Sequence, residues 1–268
     1  MKKNKLQQII LFSILLLYGC GKEDSENGGG SFNSYQKTIL DSLNAIYGTP
    51  SEVYLDEPGS LDYNLSLLPI DRYTIKSLKI KGRINGNDVN CIHKLTNKKN
   101  LAILDLRETQ IVDGGSYSYN VNTTSGYTSN SRPTKVNVIT ERMFDSCLGI
   151  KYIALPNNIF EIEDLAFRHC TDLLSLDIPN GVISIGSMVT EKCYSLNYLS
   201  LPNSLKSIKS IAFQAPLIVV RSYIETPFII PDNTFNKKNS TILYVPKGSK
   251  QSYLNTEGWK DFKNIVEM

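Results

Sequence analysis

Three cysteines, Cys147, Cys170 and Cys193, stand 23 residues apart, and a thiol can act as nucleophile, metal ligand or half of a disulfide. His169 directly precedes Cys170, an arrangement that invites a metal or nucleophile reading. The residues around it argue against one. The only other histidine is His93, no second His or carboxylate recurs at ligand spacing, and neighbours on extended chain point to opposite sides. No G-x-S-x-G elbow, P-loop or dinucleotide fingerprint after a strand is present. The expectation is therefore a non-enzymatic chain with no catalytic residue, no cofactor and no metal. Charge removes a further class. The total is 29 − 26 = +3, and without Lys2, Lys3 and Lys5 it is 26 − 26 = 0, which leaves no clustered basic surface for nucleic acid.

Of the two remaining cysteines, Cys91 and Cys20, the second has other work. Residues 1–20 carry three lysines and then an apolar stretch from Ile9 to Tyr18, ended by Gly19-Cys20. A membrane-crossing helix needs about 20 apolar residues, so this stretch fits a signal peptide, residues 1–19. Leu17-Tyr18-Gly19-Cys20 resembles the bacterial lipobox, with Tyr18 where a smaller residue is usual. That resemblance implies lipidation of Cys20, and two or three acyl chains anchor a protein without any spanning helix. Lys22-Glu23-Asp24 resembles the surface-export signal of Bacteroides-type lipoproteins, which implies an outer-membrane lipoprotein exposed on the cell surface. Residues 20–31 are too polar to fold and read as a flexible tether.

The elements that position the cysteines are repeats. Pro156, Pro179 and Pro202 keep the 23-residue interval, as do Ile162, Ile185 and Ile208; Phe144, Phe167 and Phe213 keep the phase, with Thr190 in the missing place. One unit runs Ala166-Phe167, Cys170, Leu173, Leu176, Ile178-Pro179, Val182, Ile185-Gly186. The L-x-x-L-x-L spacing is a short strand whose alternate residues face inward, and the proline closes it. One unit cannot bury its apolar set alone, whereas stacked units can, at roughly 1.5–3 kcal/mol per fully buried Leu, Ile or Phe.

This pattern resembles the BspA-type leucine-rich repeat. The resemblance implies a β-rich repeat solenoid of about 23-residue turns over residues 71–246, a surface lipoprotein, and binding of an extracellular protein or glycan in adhesion or host interaction. A structural role in an outer-membrane assembly is the alternative. The spacing extends upstream to Leu101, Leu104, Leu106 and to Ile75, Leu78, Ile80, and downstream to Leu243, Val245 and Pro246, for about six or seven rungs. Stacked at about 4.8 Å, the three cysteines could reach disulfide range, but three cannot all pair; the family likeness and the burial preference of free Cys favour reduced core residues. Residues 32–70 read as an N-terminal capping region whose helix carries Tyr35, Ile39, Leu43 and Ile46-Tyr47, stopped at Gly48-Thr49-Pro50. Asp41-Ser42-Leu43 resembles a short O-glycosylation acceptor. Residues 247–268 resemble the closing cap of such proteins, with Trp259, Phe262 and Ile265 at helical spacing and Trp259 as its plug.

Binding candidates follow from the alternation. Residues between the inward leucines form two outward columns, Ser77, Ile103, Tyr152, Ser175, Tyr198, Ile242 and Lys79, Asp105, Ala154, Asp177, Ser200, Tyr244. Tyr152, Tyr198 and Tyr244, with Asp177, either contact a ligand or stack along the ladder and stiffen it. The polar insertion 114–137 carries Tyr117, Tyr119 and Tyr127 and reads as a binding loop or a disordered excursion.

Overall fold

The computed structural model describes residues 34–123 and 126–268. The leader, the lipobox and Cys20 with its whole tether lie outside these residues. The chain forms a strand-rich repeat fold. Helix α1 (Ser34–Tyr47) is followed by β1 (Ser51–Leu55), α2 (Leu61–Ser66), β2 (Ser77–Ile84), α3 (Gly86–Asn97) and β3 (Ile103–Ile111). The insertion forms β4 (Gly114–Thr123) and β5 (Gly126–Thr134), and the later rungs alternate two sets of short strands. The first set is β7 (Tyr152–Ala154), β9 (Ser175–Asp177), β11 (Tyr198–Leu201), β13 (Val219–Ser222), β14 (Ile242–Val245) and β15 (Asn264–Glu267). The second is β6 (Val138–Ile139), β8 (Glu161–Ile162), β10 (Ser184–Ile185) and β12 (Ser207–Ile208), and a last helix α4 (Lys250–Asn255) precedes β15.

Two parallel sheets result. The larger orders β1-β2-β3-β7-β9-β11-β13-β14-β15 and the smaller β12-β10-β8-β6. Register follows the repeat: Leu78, Leu104 and Ile153 stand opposite one another, as do Leu176, Leu199, Val220, Leu243 and Ile265, and Tyr152 pairs with Ser175 to join the two runs. On the other wall Ile139, Ile162, Ile185 and Ile208 align. Apart from Tyr152 and Ser175, all of these are buried in one continuous apolar cluster.

The turn between the walls repeats as faithfully as the strands. Arg142, Leu165, Met188 and Ile211 share a positive φ of 51–60°, and Ser146, His169 and Lys192 one of 57–61°, each series at 23-residue steps. A non-glycine residue in the left-handed region is strained, so something must hold it there. Backbone bonds between rungs do so: Leu165 N–H donates to Ser187, Phe167 to Val189 and His169 to Glu191, at 2.8–3.0 Å. Cys170 and Cys193 fill the interior of this turn, each thiol donating to the preceding rung's Phe144 or Phe167 carbonyl at 3.0 Å. Four cysteines among the described residues are free and buried. Burial pushes the Cys91, Cys147 and Cys193 thiols up to about 12, which keeps them protonated and unreactive.

Four features differ from the sequence reading. The insertion is a β-hairpin, with β4 and β5 antiparallel and Tyr117 opposite Arg132. Tyr117 drives this, because its ring is buried in the core between hairpin and body. At the C-terminus the helix is Lys250–Asn255, whereas Trp259 and Phe262 lie in turns and Ile265 in β15; the aromatic spacing reflects turns folded over the last rung. Trp259 is fully buried, its indole N–H donating to the Phe228 carbonyl at 2.8 Å. The strand series also has members the leucine spacing does not mark, β1 and β15, which lie at the two edges of the sheet. Finally, α1 does not sit over the end of the stack, where β1 and α2 are found; it lies against the sheet's outer face.

Candidate functional site

The outward columns of the large sheet hold most of the chemically able residues. In parallel register Ile103, Tyr152, Ser175, Tyr198 and Val219 form one row, and Lys79, Asp105 and Ala154 begin the second, with Asp177, Ser200, Arg221 and Tyr244 continuing it. Short side chains alternate with long ones. Ala154 stands in the row with Asp105 before it and Asp177 after it, so the two carboxylate-bearing positions are roughly two strand spacings, ~10 Å, apart.

Electrostatics tie the cluster together. Arg107 clamps Asp105 through Nε at 2.9 Å and Nη2 at 2.6 Å, a bidentate pair, and that pairing raises the Arg107 pKa. The Tyr152 phenol is pushed up first by burial and then by the Asp177 carboxylate. The Arg221 guanidinium lies over the Tyr244 ring, 5.6 Å from its centroid, a cation–π contact. At the end of β2 and β3, where these strands outrun β7, a cleft of about 380 Å³ opens, lined by Arg83, Arg107, Glu108, Gln110, Asn157 and Asn158. Arg107 therefore borders both the clamp and the cleft.

The face is covered. Tyr152, Tyr198 and Asp177 are 1, 2 and 6% exposed. Leu43 of α1, itself fully buried, forms one apolar cluster with Ala102, Ile103, Tyr152, Ala154, Leu174, Tyr198 and Val219, and Leu40, Tyr47 and Tyr244 pack on its margin. Burial and the nearby Asp172 carboxylate, itself held by Lys151 at 2.8 Å, raise the Tyr47 phenol pKa. The sequence brought Tyr152, Asp177, Tyr198 and Tyr244 to one surface, and the structure does bring them together; it does not leave Tyr152, Asp177 and Tyr198 open to solvent. The helix was expected, but its place on this face was missed because the helix itself lies outside the repeat phase. Its single deeply apolar stripe through Leu43 was the available signal.

The hairpin residues are elsewhere. Tyr117 is buried, hydrogen-bonded to Thr140 Oγ1 and donating to the Glu141 carbonyl, both at 2.7 Å, with its ring edge-on to His93. An exposed contact role does not fit it, because that ring fills the seam. Tyr119 is half-buried beneath Arg142, 5.5 Å away. Tyr127 pairs with Asn122 across the hairpin.

His169 belongs to a structural network. Asp145, nearly buried, accepts from Arg142 at 2.9 Å and Arg168 at 3.2 Å, and His169 Nδ1 lies 3.5 Å from it. Burial and then Arg168 lower the His169 pKa. Among the described residues no group of three or more His, Cys, Asp or Glu could hold a metal ion, and no helix is long and apolar enough to cross a membrane.

Residues 115–242 match the family model of the BspA type leucine rich repeat region, in 6 copies. The match covers just under half of the chain, and β1–β3 before it and β14–β15 after it extend the same sheet. No curated protein matches the chain.

Proposed function

We propose that this chain, with its BspA-type leucine-rich repeats, is a non-enzymatic cell-surface lipoprotein whose solenoid binds an extracellular protein or glycan through the outer face of its large sheet. Repeats of this type suggest a protein-interaction or adhesion role. The observation that carries the reading to a surface is the pair of adjacent rows in parallel register, one holding Tyr152 and Tyr198 and the other Asp177, Arg221 and Tyr244. Tyrosine and arginine are the residues enriched where proteins recognise partners, and this chain aligns them on one wall of a rigid stack.

The lipobox-like Leu17-Tyr18-Gly19-Cys20 supports lipid attachment to the outer membrane, and Lys22-Glu23-Asp24 supports an outward placement. The near-neutral charge beyond the leader argues against nucleic acid. The test is a host-protein and glycan array probed with the purified chain and with its Tyr198→Ala and Tyr244→Ala variants. Binding weakened by both substitutions is the expected result. A blank array, with co-purification of a fixed outer-membrane partner from detergent, would instead assign the chain to a structural assembly. Cys20→Ala should release the protein from membranes, and unchanged attachment would remove the anchor.

A further inference from the structure

Helix α1 occupies the face that the proposed function needs. With 14 residues at about 1.5 Å each, it is about 21 Å long. The apolar part of the face runs over β3, β7, β9, β11 and β13, four strand spacings or about 19 Å. The two lengths are comparable, and Leu40, Leu43 and Tyr47 give the i−3, i, i+4 stripe by which a helix docks on an apolar face.

The fit is incomplete in a way that points to a second ligand. Ser175, fully buried in the middle of the row between Tyr152 and Tyr198, has a hydroxyl with no hydrogen-bond partner among the described residues. The Asn44 side-chain oxygen on α1 is likewise buried without one. Buried polar atoms left without bonds are costly, and few are found in folded proteins. The groove therefore offers a bond that α1 does not take. The attachment is also easy to release. The helix joins β1 through Gly48-Thr49-Pro50, and a 14-residue helix is marginal once undocked.

We propose that this face is a groove for a single amphipathic helix, that α1 is its resident occupant, and that a protein partner displaces α1 with a helix bearing a leucine in the place of Leu43 and a hydrogen-bonding side chain for Ser175. This rests on the reading of the outer face as the binding surface and narrows its ligand from protein or glycan to a helical protein segment. A resident helix docked in about 90–99% of molecules would make a competing helix bind about ten- to a hundredfold more weakly than to an open face.

The probe is a fluorescein-labelled peptide of residues 34–47, titrated by anisotropy against the full chain in detergent and against its Leu43→Asp variant, whose own helix cannot dock. The peptide should bind the variant at least about tenfold more tightly than the wild type, and a peptide carrying Leu43→Asp should bind neither. A variant that keeps its far-ultraviolet circular dichroism yet takes no peptide overturns the proposal, as do equal affinities for the two chains. A protease site inserted between Gly48 and Pro50 tests displacement without altering the groove: after cutting, α1 should exchange with labelled peptide, and a fragment that never exchanges overturns it. Ser175→Ala should raise the melting temperature by removing the unbonded hydroxyl; a fall would mean that the hydroxyl is already satisfied and would remove the argument for a second ligand. A concentration-dependent dimer of the wild type, lost in Leu43→Asp, would assign the groove to a second copy and overturn the partner. Array binding that Tyr198→Ala weakens, with no peptide uptake, refutes the helix alone, whereas array binding indifferent to Tyr198→Ala refutes the face itself.

Discussion

Substituting Tyr117 by Phe separates a hairpin that is part of the fold from one that merely decorates it. The phenol hydroxyl donates to the Glu141 carbonyl and accepts from the Thr140 hydroxyl, each at 2.7 Å, and both Tyr117 and Thr140 are fully buried. Tyr117→Phe keeps the ring in place against His93 and leaves those two partners without a bond. Buried groups stranded in this way cost about 1–3 kcal/mol each when no water replaces the partner. A loss of about 2 kcal/mol lowers the melting temperature of a domain this size by about 4–8 °C. Thr140→Val removes the other partner and costs less, since the phenol still donates to Glu141. In the double variant the shared bond is absent from both sides, so the two losses should fall short of additive by about 1 kcal/mol. Thermal unfolding by circular dichroism measures the cycle, and hydrogen exchange of residues 114–134 locates the change. A strictly additive cycle, or Tyr117→Phe melting with the wild type, would refute the reasoning, because either result means that the hydroxyl is satisfied by solvent and the hairpin is not seated.

Three further outcomes follow from the stack. Thr190 takes the aromatic place between Phe167 and Phe213 and is fully buried with a hydroxyl unbonded among the described residues, so Thr190→Val should stabilise by about 1 kcal/mol and raise the melting temperature by about 2–4 °C; a lower one contradicts it. The thiols of Cys91, Cys147 and Cys193, raised to about 12 from 9.0, contribute stability that is complete below pH 9 and declines as pH rises through the interval to about 12, because only the unfolded chain ionises there; native protein should therefore resist thiol reagents at pH 8, and rapid labelling before unfolding would contradict it. Gly82 has φ +91° and a Cβ there would meet the Leu55 carbonyl oxygen at 2.2 Å. Gly82→Ala should thus detach β1 and lower the denaturation midpoint, and an unchanged midpoint with intact protection of residues 51–55 would show that the edge yields.

What could be seen in the sequence follows from how side chains find their neighbours. Leu176 meets Leu199, and Ile162 meets Ile185, because each lies one period from the other, so a constant interval in the text becomes a contact in space. The cysteine column, the proline turns and the grouping of Tyr152, Asp177, Tyr198 and Tyr244 were legible for this reason. Leu43 and Tyr117 have no such partner: one docks on the sheet's outer face from outside the phase, the other seats an insertion against Thr140 and His93. Composition misled at both. The serines and asparagines around Tyr117 and Tyr119 describe a hairpin's solvent side as well as they describe a loop, and only the burial of one ring distinguishes them. The amphipathic stripe of α1 states that some apolar surface receives it without naming which, and an end rung and a sheet face are both apolar. The face won because its row of Ile103, Tyr152, Tyr198 and Val219 would otherwise stand in water, and a continuous exposed strip of that size is rare on a protein that has no occupant for it. Because α1 shields Tyr152 and Tyr198 from solvent, a partner for this face must bring at least as much apolar surface as the helix it removes.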